Sequence, residues 1–256
     1  MNVKDSVAII TGGASGLGEA CVRTLTAKGG KAVIFDLQEE LGSKLAKEIG
    51  NNVLVAQVDV TNAESVAAGI SKALGEYGKI DIVVNCAGTG APTKVLSKKG
   101  PHPLEVFTKI ITINLVGTFN VIRLAVEQMA KNTPGASGER GVIVNTSSVA
   151  AFDGQIGQAA YSASKAAICG MTLPIARECA DYGIRVMTIA PGIFDTPLLG
   201  SNITAEVRVA LNKMVPFPAR MGQPAEFASM VREIVENSYL NGEVIRLDGA
   251  IRIAAR

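Results

Sequence analysis

The 256-residue chain has no tryptophan, one histidine (His102) and aromatic residues at only 4%. A lone histidine, with four cysteines (Cys21, Cys86, Cys169, Cys179) that show no C-x-x-C spacing, supplies neither a zinc ligand set nor a disulfide framework. Such cysteine usage fits a reducing compartment. Formal charge almost cancels, at +2, so nothing electrostatic recommends nucleic acid as a partner. No apolar stretch approaches the roughly 18 residues that cross a bilayer. A strand-like run is under way by Ser6, which leaves no room for a signal or transit peptide. These shortages together read as a soluble, cytoplasmic protein with no membrane association.

What the chain has in quantity is buried-type residue. Hydrophobic residues make up 48% and charged residues 19%, a composition that can fill a sizeable core. Short β-branched runs at 7–10, 31–35, 53–57, 82–85, 141–145, 185–189 and 243–247 alternate with helical patterns. The helices are expected at 16–28, 38–49, 63–77, 104–131, 159–181 and 225–237. Near-continuous apolar strands separated by helices imply a doubly wound α/β fold, a seven-stranded parallel sheet covered on both faces. Pro174 should kink the fifth helix. No Pro/Gly/Ser linker divides the chain, so one domain is expected over 1–256. Its nucleotide half would run to about residue 135 and its catalytic half from about 136. The site belongs at the carboxyl ends of the strands.

The segment from Thr11 to Gly18 (TGGASGLG) follows the first strand and opens the first helix. Glycines at 12, 16 and 18 let the backbone turn tightly and approach a pyrophosphate, which the free N–H groups and dipole of the helix start attract. The G-x-x-x-G-x-G spacing is a variant of a dinucleotide fingerprint. Asp36 ends the second strand, where a carboxylate can accept from ribose hydroxyls and repels a 2′-phosphate. No Arg or Lys flanks it at Leu37 or Gln38, so NAD is favoured over NADP; a solvated loop aspartate is the alternative. Asp59 and Val60 follow the third strand, suited to bracket an adenine. Asn85-Cys86-Ala87-Gly88 follows the fourth and offers a close backbone approach to the ribose or nicotinamide. Cys86 reads as a small buried residue rather than a nucleophile.

Tyr161 and Lys165 lie four residues apart, so on a helix their side chains share one face. A phenol with an ordinary pKa of about 10 is a poor acid or base near neutrality. An adjacent ammonium would favour the phenolate and bring it into the working range. Ser148 ends the fifth strand 13 residues before Tyr161, and Asn114 lies in a helical pattern.

Thr11–Gly18, Asn85–Gly88, Asn114, Ser148, Tyr161-x-x-x-Lys165 and Pro191-Gly192, in that order, resemble the short-chain dehydrogenase/reductase family along essentially the whole chain. The resemblance implies that Tyr161 is the acid/base, Ser148 orients the substrate oxygen, Lys165 holds the nicotinamide ribose, and Asn114 anchors a relay water. It implies no metal. Residues 150–161, 170–177 and 241–252 further resemble a subgroup that uses NAD, forms homotetramers and interconverts 3-hydroxyacyl-CoA and 3-oxoacyl-CoA, with slower action on steroid alcohols. Implied nucleotide contacts are Ser15, Leu17, Asp36, Asp59, Val60 and Cys86, with Phe194 and Thr196 near the nicotinamide. A 3-oxoacyl-carrier-protein reductase, a secondary-alcohol dehydrogenase and a non-catalytic nucleotide sensor are the competing readings.

Three features bear on substrate. Lys94, Lys98, Lys99 and His102 make a cationic loop within 89–103 that either meets coenzyme A phosphates or is a solvated surface. Gln155 and Gln158 are candidates to hydrogen-bond a thioester carbonyl. The apolar residues Leu198, Leu199, Ile203, Leu211, Met214 and Phe217 suit either a mobile lid or the core of a small helical subdomain.

Overall fold

The computed structural model describes residues 1–199 and 204–255; Ile203, one of the proposed lid residues, lies outside them. The chain alternates strand and helix: β1 (Val7–Thr11), α1 (Gly16–Ala27), β2 (Lys31–Asp36), α2 (Glu39–Ile49), β3 (Val53–Gln57), α3 (Ala63–Tyr77) and β4 (Ile82–Asn85). A small hairpin follows, β5 (Leu96–Ser97) and β6 (Gly100–Pro101), then α4 (Leu104–Ile111) and α5 (Gly117–Met129). The remainder is β7 (Gly141–Thr146), α6 (Ala159–Ala180), β8 (Ile184–Pro191), α7 (Ala205–Lys213), α8 (Pro224–Glu236) and β9 (Val244–Leu247).

Seven strands form one sheet, parallel at every pairing, in the order β3-β2-β1-β4-β7-β8-β9. The period of two sorts each strand's side chains between the faces. In β1, Ala8 and Ile10 pack under α1 and α8, while Val7 and Ile9 pack under α3 and α5. The sheet winds outward from β1 to β3, then restarts at β4 and winds the other way. The crevice that ligands use in such sheets therefore opens between the carboxyl ends of β1 and β4.

Two local expectations are corrected, and the helix expected to run through Pro174 is found. The helix expected at 104–131 is interrupted at Thr112–Val116 by one turn of π-helix, centred on Asn114. That continuous run, Leu104–Met129, also has the length and mean hydropathy (1.4) of a membrane-crossing segment, although four charged residues break up its apolar stretches. In this fold it is a layer of the domain, with Val121, Ile122, Ala125 and Met129 buried against the sheet. Pro174 does not end α6, which continues to Ala180. The carbonyl it leaves unpaired belongs to Gly170, an exposed residue with open space beside it, so water can take the lost bond.

Candidate active site

The strand ends open into a cleft of about 1570 Å³. Typical small-molecule pockets hold roughly 300–1,000 Å³, so this one has room for a dinucleotide and a second ligand. Its floor is the turn between β1 and α1. Gly12 has a left-handed φ of 62°, and a Cβ there would come 3.0 Å from the Ala87 nitrogen. A Cβ at Gly18 would sit 2.1 Å from the Gly12 carbonyl oxygen, so no other residue fits this turn. The Thr11 hydroxyl accepts from the Cys86 and Ala87 amides at 3.1 and 3.0 Å, stapling β1 to the loop after β4. Ser15 begins α1 without a side-chain cap, leaving the first N–H groups of the helix for an anion. Ser15, Gly16 and Leu17 line this end.

Asp36 stands at the rim. Its two carboxylate oxygens accept from Ala14 (3.1 Å) and Gln38 (3.0 Å) backbone amides, which fixes its position while leaving each oxygen able to accept again. Asp59 is held by the Thr61 amide and hydroxyl at 2.9 and 2.7 Å, and Val60 beside it also faces the cleft. These residues fit an adenosine, and the glycine cradle fits a pyrophosphate. A nicotinamide dinucleotide therefore suits the residues present.

At the opposite end, β7 delivers Ser148 and the first two turns of α6 deliver Tyr161 and Lys165. The Ser148 oxygen accepts from the Ala150 amide at 3.1 Å, capping a short 3-10 turn that fixes it at the mouth of the strand. Burial pushes the Tyr161 phenol above its ordinary value, and the nearby Ser148 hydroxyl opposes that rise. The expectation that Lys165 supplies the lowering influence is not met here. Its ammonium donates to the Thr146 carbonyl at 2.8 Å and lies 5.8 Å from the centroid of the Tyr161 ring. Burial brings Lys165 itself down to about 8. Gly88 passes close by, a Cβ there coming within 3.5 Å of the Lys165 nitrogen.

Pro191, Phe194 and Thr196 line the wall between the two ends, joined by Cys86, Ala87, Gly88, Gln155 and Gln158. Phe194 is set edge-on against Phe227 of α8, with ring centroids 6.4 Å apart. Cys86 shares hydrogen bonds with Cys21 and Thr146, which hold its thiol below the ordinary range against the effect of burial. Gln158 spends its side-chain oxygen on the Gln155 amide at 2.9 Å. Asn114 departs from expectation: it is fully buried behind the wall. Its amide group is committed to the Thr89 backbone (2.8 and 2.9 Å) and the Ser164 hydroxyl (3.0 Å). Ser164 in turn donates to the Tyr161 carbonyl at 2.7 Å, so Asn114 is tied to the helix turn that carries the phenol.

A family model described as short chain dehydrogenase matches residues 6–207. The chain belongs to the short-chain dehydrogenase family. It is 55% identical to a human protein named 3-hydroxyacyl-CoA dehydrogenase type-2, over 98% of this chain and 97% of that one. A crystal structure of 3-hydroxyacyl-CoA dehydrogenase type-2 from Mycobacterium avium superposes with a TM-score of 0.94 at 41% identity, covering 100% of both chains. A 3-ketoacyl-(acyl-carrier-protein) reductase from Brucella melitensis, complexed with NADH, gives 0.87 at 29% identity over 98% of this chain and 100% of that one.

Other parts of this short-chain dehydrogenase's cleft were not anticipated. Lys94, Lys98 and Lys99 do not line it, because the β5–β6 hairpin closes on itself with Lys98 and Lys99 at its tip. His102 turns its Nδ1 to the Thr93 carbonyl at 3.1 Å. The cation on that wall is Lys109, from an α4 stripe with Glu105, Thr108 and Thr112 at helical spacing. Among the proposed lid residues, Leu198, Leu199, Leu211 and Met214 line the cleft, whereas Phe217 points away, 81% exposed. Ile253, near the carboxyl terminus, also lines it and carried no motif that would have singled it out.

Proposed function

We propose that the protein is an NAD-dependent oxidoreductase that interconverts 3-hydroxyacyl-CoA and 3-oxoacyl-CoA. The observation that carries this reading is that Ser148, Tyr161 and Lys165 line one cleft large enough for a dinucleotide as well. Relatives named 3-hydroxyacyl-CoA dehydrogenase type-2 at over half identity favour the acyl-CoA substrate. When bound, the nicotinamide supplies the hydride acceptor or donor. The chain's residues handle the proton and the oxygen. Gly12, Gly16 and Gly18 with the α1 N-terminus would hold the pyrophosphate, and Asp36 the adenosine ribose. Asp59 and Val60 would flank the adenine; Cys86, Ala87, Gly88, Pro191, Phe194 and Thr196 would line the nicotinamide side.

Oxidation requires a base for the substrate hydroxyl proton, and the Tyr161 phenolate oxygen takes it. Ser148 donates to the same substrate oxygen and steadies the charge it carries. With a cofactor in place Lys165 would exchange the Thr146 carbonyl for ribose hydroxyls, and from there its ammonium would stabilise the phenolate. Asn114 acts as a positioning residue through Ser164. Both side-chain N–H donors are spent, on Thr89 and Ser164, so a relay water would donate to an oxygen of Asn114: Oδ1, or the backbone carbonyl that already accepts from Thr118 at 2.7 Å.

NAD rather than NADP is inferred from the Asp36 carboxylate at the rim, with neutral Leu37 and Gln38 next to it. A homotetramer in the cytoplasm completes the proposal, the assembly being checked by light scattering and the location by imaging. Catalysis is tested by following reduced-cofactor absorbance with 3-hydroxyacyl-CoA, the carrier-protein thioester, a steroid alcohol and a simple secondary alcohol at equal concentrations. The coenzyme A thioester should give the highest kcat/KM, with NAD above NADP. Preference for any other substrate overturns the assignment, and no turnover at all revives the nucleotide-sensor reading.

A further inference from the structure

After β9 the chain reverses within two residues. Gly249 and Ala250 both take left-handed φ values, 58° and 66°. Alanine rarely adopts this conformation, and the turn is held by the Asp248 carboxylate accepting from the Ala250 amide at 3.0 Å. The tail then runs back along residues 153–156. The Ile156 amide donates to the Ala255 carbonyl at 3.1 Å, and the Gln155 side chain to the Ala254 carbonyl at 3.3 Å. Arg246 buttresses the arrangement. Its guanidinium bonds Asp153 and Asp248, both at 2.7 Å, donates to the Ile251 carbonyl at 3.0 Å, and lies 5.1 Å over the Phe152 ring. Ile251 is buried, which anchors the start of the tail. The residue so presented to the cleft is Ile253.

Bonds from both sides put Ile253 beside Gln155, at the Ser148–Tyr161 end of the cleft rather than the adenosine end. The tail runs beside the segment that contributes Val149, Ala150, Gln155 and Gln158 to the lining, all uncharged. The two nearest cations are spent, Arg246 on Asp153 and Asp248, and Arg252 on Asp248 at 3.2 Å. Such a wall suits a hydrocarbon chain and offers nothing to a polyphosphate.

We propose that Ile253 is a specificity-determining residue whose side chain limits how long an acyl chain the site accepts. The inference rests on the 3-hydroxyacyl-CoA reading above. Ile253→Ala removes three carbons and makes room for two or three substrate methylenes, whereas Ile253→Phe takes room away. Single methylenes in apolar pockets discriminate by about tenfold or more. The test is kcat/KM for 3-hydroxyacyl-CoA substrates of increasing chain length, with the affinity for NAD measured in parallel. Ile253→Ala should raise the ratio of long-chain to short-chain kcat/KM about tenfold, Ile253→Phe should lower it, and the affinity for NAD should stay put. Asp153→Ala, which removes one of the two carboxylates that hold Arg246 and so loosens the tail, should broaden the length profile. An unchanged profile in both Ile253 variants, or a uniform fall at every length, overturns the proposal. Failure of the unsubstituted protein to turn over any acyl-CoA, with NAD bound, would instead remove the reading on which the proposal stands.

Discussion

The Lys165 ammonium donates to the Thr146 carbonyl at 2.8 Å, not to the Tyr161 phenol one helical turn before it. With the lysine so engaged, the group that eases ionisation of Tyr161 is Ser148. Ser148→Ala should therefore do more than remove a substrate contact. It takes away the hydroxyl that opposes the effect of burial, so the phenol moves further above its ordinary value. In the oxidative direction the ascending limb of the pH–rate profile should shift to higher pH, and kcat near neutrality should fall by about 10²–10³. A variant profile that overlays the parent would mean Ser148 does not govern the ionisation of Tyr161.

Tyr161→Phe removes the proton carrier but keeps the ring. Loss of general acid–base catalysis costs about 10²–10⁴ in kcat. Cofactor affinity, measured by fluorescence titration, should change little, because the cradle is built by β1, α1 and the loop after β4. Parent-like turnover would exclude Tyr161 as the base.

Burial holds Lys165 at about 8, well below its ordinary 10.5. The depressed value means that the folded protein binds fewer protons than the unfolded chain between these two pH values. Stability should therefore rise with pH across that window as the cost of burying the ammonium is relieved. Cofactor affinity should move the opposite way. If the ammonium is the form that donates to ribose hydroxyls, NAD binding weakens as pH climbs through about 8. Titrations on either side of that value check this, and Lys165→Met should show weak binding with no such dependence.

Asp36→Arg exchanges a group that repels a 2′-phosphate for one that pairs with it. The ratio of kcat/KM for NAD over NADP should drop by at least tenfold, which corresponds to about 1.4 kcal/mol. An unaltered ratio would show that selectivity lies elsewhere on the rim.

The seven strands were legible because each is a short apolar run rich in β-branched residues, buried on both faces in the interior strands and half-buried at the edges; β3 and β4 match their expected spans to the residue. α7 was not assigned as a helix, since none of its residues is buried and its short apolar stripe, Val207, Leu211 and Met214, reads equally as lid or subdomain core. The β5–β6 hairpin, two residues to a strand, has no room for alternation. In the site, the glycines and the Tyr161–Lys165 spacing are local signals and read correctly as neighbours. The partner that Lys165 takes is not local: Thr146 is 19 residues away, and only the fold brings its carbonyl there. Ile253 was hidden for the same reason, reaching the cleft through a reversal and bonds to residues about 99 positions distant.

The widened turn at Thr112–Val116 sets the phase between two helices that face different neighbours. A regular α-helix advances about 100° per residue. Deleting one residue from this turn would restore ordinary geometry and could not keep both flanks seated. Either Val121, Ile122, Ala125 and Met129 would rotate off the sheet, or the α4 stripe carrying Thr108 and Lys109 would swing away from the cleft. The segment is thus a phase adjuster, and its length should tolerate change far less than the surface hairpin preceding it.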